Sequence, residues 1–455
     1  MKKILLILTI SILGINLGLA QQNLTLQDAI NIALNNNPGI KAGQSQIREA
    51  EAKNMQAKST FLPQANILSK YLYTNNTPGM VPLLGVDVPV MNDGTPTGDN
   101  ITMHPMAPYP YLDRDILTFD FNIVYPIYTG SKRKSAVATT ENLKNAYNQK
   151  LNETKASLVL KVKTAFYNYL MIREVIKVYN DALKELYSHL ALAEKAKEEG
   201  MRSEFDVLNF KSKIEGFKSK IINLKGKQKV VKTALRNLLS LPDSQQVNFV
   251  GSISEIYNNQ VSLIFPELDS VLNSNYKVKY LNNMQKVLAN KKEMEQANNK
   301  PVLFAFGNYH INHGKDFPPF DVTWRNGYAI GVGLKINVFD GNMTKGKIAE
   351  VKATQDKIAN YEEGLKLKLS FKYQKTIETI KSLKAEKAAY EKNLEVAQKA
   401  YEIVQVGYEN GVNTNIELND AQLNVTKIKT SIINIEKQIM IQYSNLEYLN
   451  GKIEF

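Results

Sequence analysis

An internal duplication limits what this chain can fold into more than any other feature of its sequence. Leu34-Asn35-Asn36-Asn37-Pro38-Gly39-Ile40-Lys41 matches Leu272-Asn273-Ser274-Asn275-Tyr276-Lys277-Val278-Lys279 at an offset of 238 residues. The same offset carries Pro63 onto Pro301 and Tyr71 onto Tyr309. Farther along, an offset of 211 carries Tyr128-Thr129-Gly130 onto Phe339-Asp340-Gly341, Gly200 onto Gly411, Asp206 onto Glu417 and Leu238 onto Leu449. The offsets differ by 27 residues, which places extra material in the first copy, within 74–116. Seven of the fifteen prolines fall there, beside Gly79, Gly85, Gly94 and Gly98, so the segment reads as a long irregular loop. The first copy spans 21–241, a linker 242–264, and the second copy 265–455.

Prolines leave 127–241 and 320–455 free of the strongest helix breaker. Apolar residues from Leu143 through Val162, Tyr169, Ile176, Leu183 and Leu190 to Ala193 recur at helical steps, giving one long helix from Ser131 to about Glu199. A second runs from Ser203 to about Leu239, with Gly200 as the turn. At about 1.5 Å per residue, the first of each pair reaches on the order of 100 Å. Such rods need parallel neighbours at coiled-coil spacing to bury an apolar stripe. Strands alternate beside the loops. Leu117, Phe119, Phe121, Ile123 and Tyr125 interleave with smaller or polar residues, as do Tyr328, Ile330, Val332, Leu334, Ile336 and Val338. Their partners are about Phe61 to Tyr73 and Val302 to Ile311. Each copy thus reads helix, strand, loop, strand, long helix, glycine turn, shorter helix.

The first twenty residues read as an export signal. Lys2 and Lys3 precede the apolar run Ile4 to Leu17, and Gly18-Leu19-Ala20 offers small residues before a cut at Gln21. No other apolar run approaches the roughly 18 residues of a membrane-spanning helix. The absence of cysteine excludes disulfides, thiolate metal sites, a cysteine nucleophile and a lipidated N-terminal cysteine. The net charge is +13, two fewer once Lys2 and Lys3 are removed, and it comes almost wholly from lysine. Arginine forks that read bases or phosphates are sparse, so no nucleic-acid partner is expected.

Four strands of roughly ten residues, each apolar on one face, have the length to cross a bilayer at a tilt. Four cannot close, since a barrel needs about eight and lipid tolerates no open edge. A membrane reading therefore forces assembly, and three chains give an even twelve strands. Phe317, Phe320, Trp324 and Tyr328, with Tyr109, Tyr111 and Phe119 in the other copy, suit an interfacial belt.

The duplicated order, the opening Leu24-Thr25-Leu26-Gln27-Asp28-Ala29 with Asn36-Asn37-Pro38, and the tips Gly200-Met201-Arg202-Ser203-Glu204-Phe205-Asp206 and Gly411-Val412-Asn413-Thr414-Asn415-Ile416-Glu417 resemble the TolC-type outer-membrane efflux duct family. The resemblance covers essentially the whole chain after the signal. It implies a mainly α protein with a trimeric, twelve-stranded β-barrel in the outer membrane and a coiled-coil α-barrel extending into the periplasm. It also implies a passive exit duct for efflux or type I secretion, opened at its tip by a periplasmic adaptor and an inner-membrane transporter. Gly200, Met201, Arg202, Ser203, Gly411, Val412, Asn413 and Thr414 are then the adaptor-docking tip. Glu417 and Asp420, one helical turn apart, match the family's carboxylate ring that sets cation sensitivity at the entrance. Tyr408 and Asp206 match a closing contact, while Asn413 and Phe205 stand where a second contact uses arginine and threonine. Arg202 is a candidate replacement. Tip carboxylates can equally serve as solvated residues at helix N-termini.

Other signals are weak. Gly341-Asn342-Met343-Thr344-Lys345-Gly346-Lys347 begins like a phosphate-binding loop, but Ile348 stands where a hydroxyl must hold magnesium. His310 and His313 have opposite strand parity and face different sides, and His104 and His189 are isolated in sequence. No catalytic constellation, metal site or cofactor motif emerges, so an enzyme is not expected. An exported coiled-coil scaffold or adhesin with soluble β segments is the alternative; a periplasmic adaptor fits less well, because it would carry one hairpin inside nested β elements.

Overall fold

A computed structural model describes residues 22–73, 80–82, 86–92, 95–103, 106–108, 115–242, 245–260, 265–314 and 324–452. The expected signal at 1–20, His104, and Tyr109, Tyr111, Phe317 and Phe320 of the aromatic clusters lie outside these residues. The chain divides into two compact units, and each draws on both sequence copies. One comprises Met1–Glu51, Asn142–Lys286 and Gln355–Phe455; the other comprises Ala52–Glu141 and Val287–Thr354.

The first copy runs β1 (Gln22–Leu24), α1 (Leu26–Asn36), α2 (Pro38–Ser59), β2 (Gln64–Tyr73), β3 (Met80–Pro82), β4 (Val86–Asn92), β5 (Thr95–Met103), β6 (Met106–Pro108), β7 (Asp115–Tyr128), α3 (Lys132–Glu198) and α4 (Glu204–Leu238). Then come β8 (Val247–Phe249) and α5 (Ile253–Gln260). The second copy runs α6 (Leu268–Ser274), α7 (Tyr276–Gln296), β9 (Val302–Gly314), β10 (Arg325–Lys335), α8 (Met343–Glu409) and α9 (Asn415–Leu449). The corresponding long helices α3 and α8 contain 67 residues each, and α4 and α9 contain 35 each. The segment 74–116 is more regular than its prolines suggest. Among its described residues β3 pairs with β6 and β4 with β5, both antiparallel, so the insertion contains nested ladders.

The second unit holds a four-stranded antiparallel sheet in the order β10-β9-β7-β2. Its register puts Asn66 opposite Asn122 and Asn122 opposite Asn308, and their amides bond across the strands at 3.3 and 2.7 Å. Residues at even spacing from this ladder form a polar face carrying Asp120, His310 and Asn312. The other face carries Ile67, Tyr71, Phe121, Ile123, Tyr309, Ile330 and Val332. Most of these apolar side chains are exposed, Ile330 at 83%. On β10 the polar-face residues Gly327, Gly331 and Gly333 lie under His310, Phe306 and Phe304, whose rings occupy the space a Cβ would need. Strand β10 ends sooner than its alternation suggests. Lys335 pairs with Val302, the first residue of β9, and Pro301 before it has no N–H to extend the ladder toward Ile336 and Val338.

In the first unit, β1 and β8 pair in parallel beside a core to which α1, α2, α3, α4, α5, α8 and α9 all contribute. Phe249 meets Phe166 and Tyr169 edge-on, with ring centroids 5.8 and 5.4 Å apart. Arg173 donates to the Phe249 carbonyl at 2.9 Å and also bonds the Gly251 carbonyl, tying the linker to α3. A buried ion pair holds α5 to the hairpin helices. Lys387 on α8 lies 3.4 Å from Glu436 on α9 and 4.7 Å over the Tyr257 ring, while Ser254 donates to Glu436 at 2.7 Å.

Candidate functional site

The two helical tips are built by the same local chemistry. Gly200 and Gly411 adopt φ of +76° and +81° and end α3 and α8. The Met201 and Val412 amides then donate to the carbonyls of Ala196 and Gly407, closing off the helix ends. Ser203 and Thr414 cap the returning helices, and each forms a capping box with the residue three positions on, Asp206 or Glu417. Thr25 and Asp28 make the same box at the start of α1. The serine or threonine, any two residues, then a carboxylate is thus a helix start at all three places.

This geometry fixes the role of the tip carboxylates within one chain. Glu417 Oε2 accepts from the Thr414 amide at 2.8 Å and from Asn413 Nδ2 at 3.0 Å. The backbone bond from Thr414, then the Asn413 side chain, hold the Glu417 carboxyl below its ordinary range. Asp420 is exposed one turn along on the same helix. Asp206 Oδ2 accepts from both the amide and the hydroxyl of Ser203, at 3.1 and 3.0 Å. Met201, Gly411 and Val412 are exposed at the turns.

Tyr408 lies buried in the cluster of Ala182, Leu186, Val207, Phe210, Ile214 and Leu418, its ring edge-on to Phe210 at 5.9 Å. Its hydroxyl is among the buried atoms with no hydrogen-bond partner among the described residues, so Asp206 is near it without bonding it. Burial pushes the Tyr408 phenol up; Arg202 opposes this and Asp206 adds to it. The bond between the tips comes instead from Arg202. Its Nη2 donates to the Tyr408 carbonyl at 2.7 Å, and its guanidinium lies 4.3 Å over the Tyr408 ring. Asn209 donates to Asn415 at 3.4 Å as a second link between the copies.

Just beyond this cluster, His189 is buried and shares a 3.0 Å hydrogen bond with Tyr401. Tyr401 donates to Glu185 at 3.3 Å, and Gln422 donates to the same carboxylate oxygen at 2.8 Å. Glu185, Tyr401 and Gln422 border a polar cavity of about 330 Å³ that also meets Glu402, Gln405 and Lys429. Burial lowers the His189 pKa, against Glu185 and Glu409, and raises that of Tyr401 with help from Glu185. One turn apart on α9, the buried side chains Asn415, Asn419 and Gln422 each leave a polar atom without a protein partner. Proximity in sequence could not reveal this network, because its members come from three helices; the spacing of Asn415, Asn419, Gln422 and Thr426 on one face of α9 was the available signal.

The remaining signals resolve simply. At the phosphate-loop lookalike, the Thr344 amide donates to Asp340 at 2.9 Å, so the start of α8 is already capped by a carboxylate. His310 bonds Asn308 at 3.3 Å, whereas His313 stacks on Trp324 at 4.8 Å, and Trp324 also stacks on Phe119 at 6.4 Å. Among the described residues, no group of three His, Asp or Glu side chains is placed to hold a metal ion.

No curated protein sequence matches the chain. Solved structures do match its fold. The outer membrane protein VceC from Vibrio cholerae superposes with a TM-score of 0.70 at 14% identity, covering 94% of this chain and 96% of that one. The Campylobacter jejuni CmeC outer membrane channel gives 0.71 at 12%, covering 94% and 86%. The open state of the Neisseria gonorrhoeae MtrE outer membrane channel gives 0.70 at 13%, covering 94% and 88%. The sequence also matches the family described as outer membrane efflux protein over residues 29–240 and 314–452. With its duplicated hairpins, one-sided sheet and glycine-turned helical tips, the chain belongs to the outer membrane efflux protein family.

Proposed function

We propose that three copies of this chain form a passive exit duct through the outer membrane, with energy supplied by an inner-membrane transporter and opening by a periplasmic adaptor. The carrying observation is the sheet: four antiparallel strands with one exposed apolar face, one polar face and two edges, β2 and β10, without partners among the described strands. Lipid cannot solvate the open edges. Because β2 and β10 run in opposite directions, β2 of one copy can pair antiparallel with β10 of the next. Three such junctions close twelve strands, with the apolar face toward lipid and the asparagine ladder toward the lumen.

At the tips, Gly200, Met201, Arg202, Ser203, Gly411, Val412, Asn413 and Thr414 form the adaptor-docking surface. Tyr408 is the closing residue, held by Arg202, with Asp206 acting by shaping the start of α4. Threefold repetition gathers six carboxylates, Glu417 and Asp420 from each copy, into a ring that attracts cations. The hydrogen bonds on Glu417 support a ring that stays ionised below the ordinary glutamate range. The single polar atoms left without a partner on Asn415 and Gln422, and both on Asn419, support an interface that opens readily, since an incompletely satisfied polar layer holds helices less tightly than an apolar one.

The test is purification from outer membranes in detergent, mass by light scattering, and reconstitution in planar bilayers. A trimer with cation-sensitive conductance is expected. A monomer that is water-soluble and passes no current would overturn the duct and favour the exported scaffold.

A further inference from the structure

Where the sheet gives way to helices in the second unit, four lysines converge. A cavity of about 550 Å³ is lined by Lys132 at the start of α3, Lys300 before β9, Lys335 at the end of β10 and Lys347 in the first turn of α8. Glu295 is the one carboxylate lining it. That carboxylate is already engaged: Asn298 donates to it at 3.0 Å, and Lys347 lies 3.8 Å away. Lys132 donates to Asn298 at 2.8 Å. Lys300 and Lys335 have no ion pair among the described residues, so the cavity holds three positive charges in excess. Val302 and Met343 supply an apolar wall.

The backbone brings these groups together. Gly130 has φ of +63°, and a Cβ there would lie 2.6 Å from Lys300 Cβ, so only glycine lets the turn into α3 approach residue 300 this closely. Val302 and Lys335 pair with each other and stand at even spacing from Asn308 and Ala329, on the polar face of the sheet that bears the asparagine ladder.

We infer that this cavity is a binding site for organic anions, meaning a carboxylate, sulfonate or phosphate carried on an apolar body, and that such anions are a cargo class of the duct. The inference rests on the duct reading for its placement, because the polar sheet face is then the lumen and threefold repetition sets twelve lysines around it. Ammonium groups beside an apolar wall attract an anion more strongly than the same charges in open water, and the wall accepts the anion's hydrocarbon part. The four lysines and the two apolar side chains are thus complementary to an amphipathic anion and repel an amphipathic cation.

The experiment uses full-length trimer in detergent and naphthalene-1,3,6-trisulfonate as the probe, read by titration calorimetry. The Lys300→Gln/Lys335→Gln variant should bind about tenfold more weakly. Lys300→Arg/Lys335→Arg should bind as the parent does, which excludes misfolding as the cause. Lys220→Gln/Lys227→Gln, with the same charge change on exposed α4 positions, should also bind as the parent does. Equal loss in both Gln pairs, or no loss in either, overturns the site. Planar-bilayer current is recorded in parallel, with the trisulfonate expected to block the parent channel and to block the Lys300→Gln/Lys335→Gln channel less. Binding that maps to the cavity without any conductance would sustain the anion site and reject the duct, whereas conductance without localised binding would reject the site and sustain the duct.

Discussion

At the scale of single residues, the tip contact depends on Arg202 more than on the tyrosine hydroxyl. Tyr408 Oη has no hydrogen-bond partner, so Tyr408→Phe should leave resting conductance near the parent value, whereas Arg202→Ala, which removes a bond and a ring contact together, should raise it. Single-channel recording without adaptor distinguishes the two. Asn419 leaves both side-chain polar atoms unpaired in a buried position, and a leucine there should raise the melting temperature and lower the opening frequency. His189 makes the same region acid-sensitive. Burial depresses its folded-state pKa below the ordinary 6.5, so the unfolded chain binds the extra proton first as pH falls. Stability contributed by neutral His189 is therefore complete above about 6.5 and is lost as pH drops from there through the depressed value. Melting temperatures of the parent and His189→Phe, compared between neutral and mildly acidic pH, should converge if burial of the neutral ring is the cause.

At the scale of elements, the glycine turns and the buried ion pair set how firmly the hairpins are held. A Cβ at Gly411 would meet nothing within 4 Å, so Gly411→Ala carries only the backbone penalty of a left-handed residue, about 1–2 kcal/mol. Limited proteolysis should cut the variant faster at that turn. Gly407 is different: its added Cβ would collide with the Asn413 side chain, which supports Glu417, so alanine there should disturb the Glu417 cap rather than the turn. Lys387 and Glu436 are both buried, and removing the lysine alone strands a charge among α5, α8 and α9. Lys387→Met should cost about 3–5 kcal/mol, and adding Glu436→Met should restore much of the loss in thermal unfolding.

At the scale of the whole molecule, the two faces of the sheet are not interchangeable. Lysine in place of Ile330 puts a charge on the apolar face and should cost about 2–4 kcal/mol of membrane insertion if that side chain lies near mid-bilayer. Lysine in place of Ala329, its neighbour on the polar face, should still yield trimers. Light scattering of detergent extracts reads the difference, and equal loss from both faces would contradict the barrel orientation.

Much of this was legible in the amino-acid sequence because it follows from local periodicity. The long helices from Lys132 and Met343, the glycine turns at 200 and 411, and the alternation through Phe119 and Ile330 depend on residues within a few positions of one another. Duplication then made each copy a check on the other, and the outer-membrane resemblance followed from their order. The nested ladders within 74–116 and the early end of β10 at Lys335 needed the pairing partners to be known. The network joining His189, Tyr401, Glu185 and Gln422, the Arg202 contact and the four-lysine cavity join residues far apart in sequence. The periodic elements and their repetition could be read from the order of residues, because those are set by backbone geometry and by which faces must leave water. Which side chains meet came from the folded arrangement, because a buried polar contact depends on where a different helix places its partner.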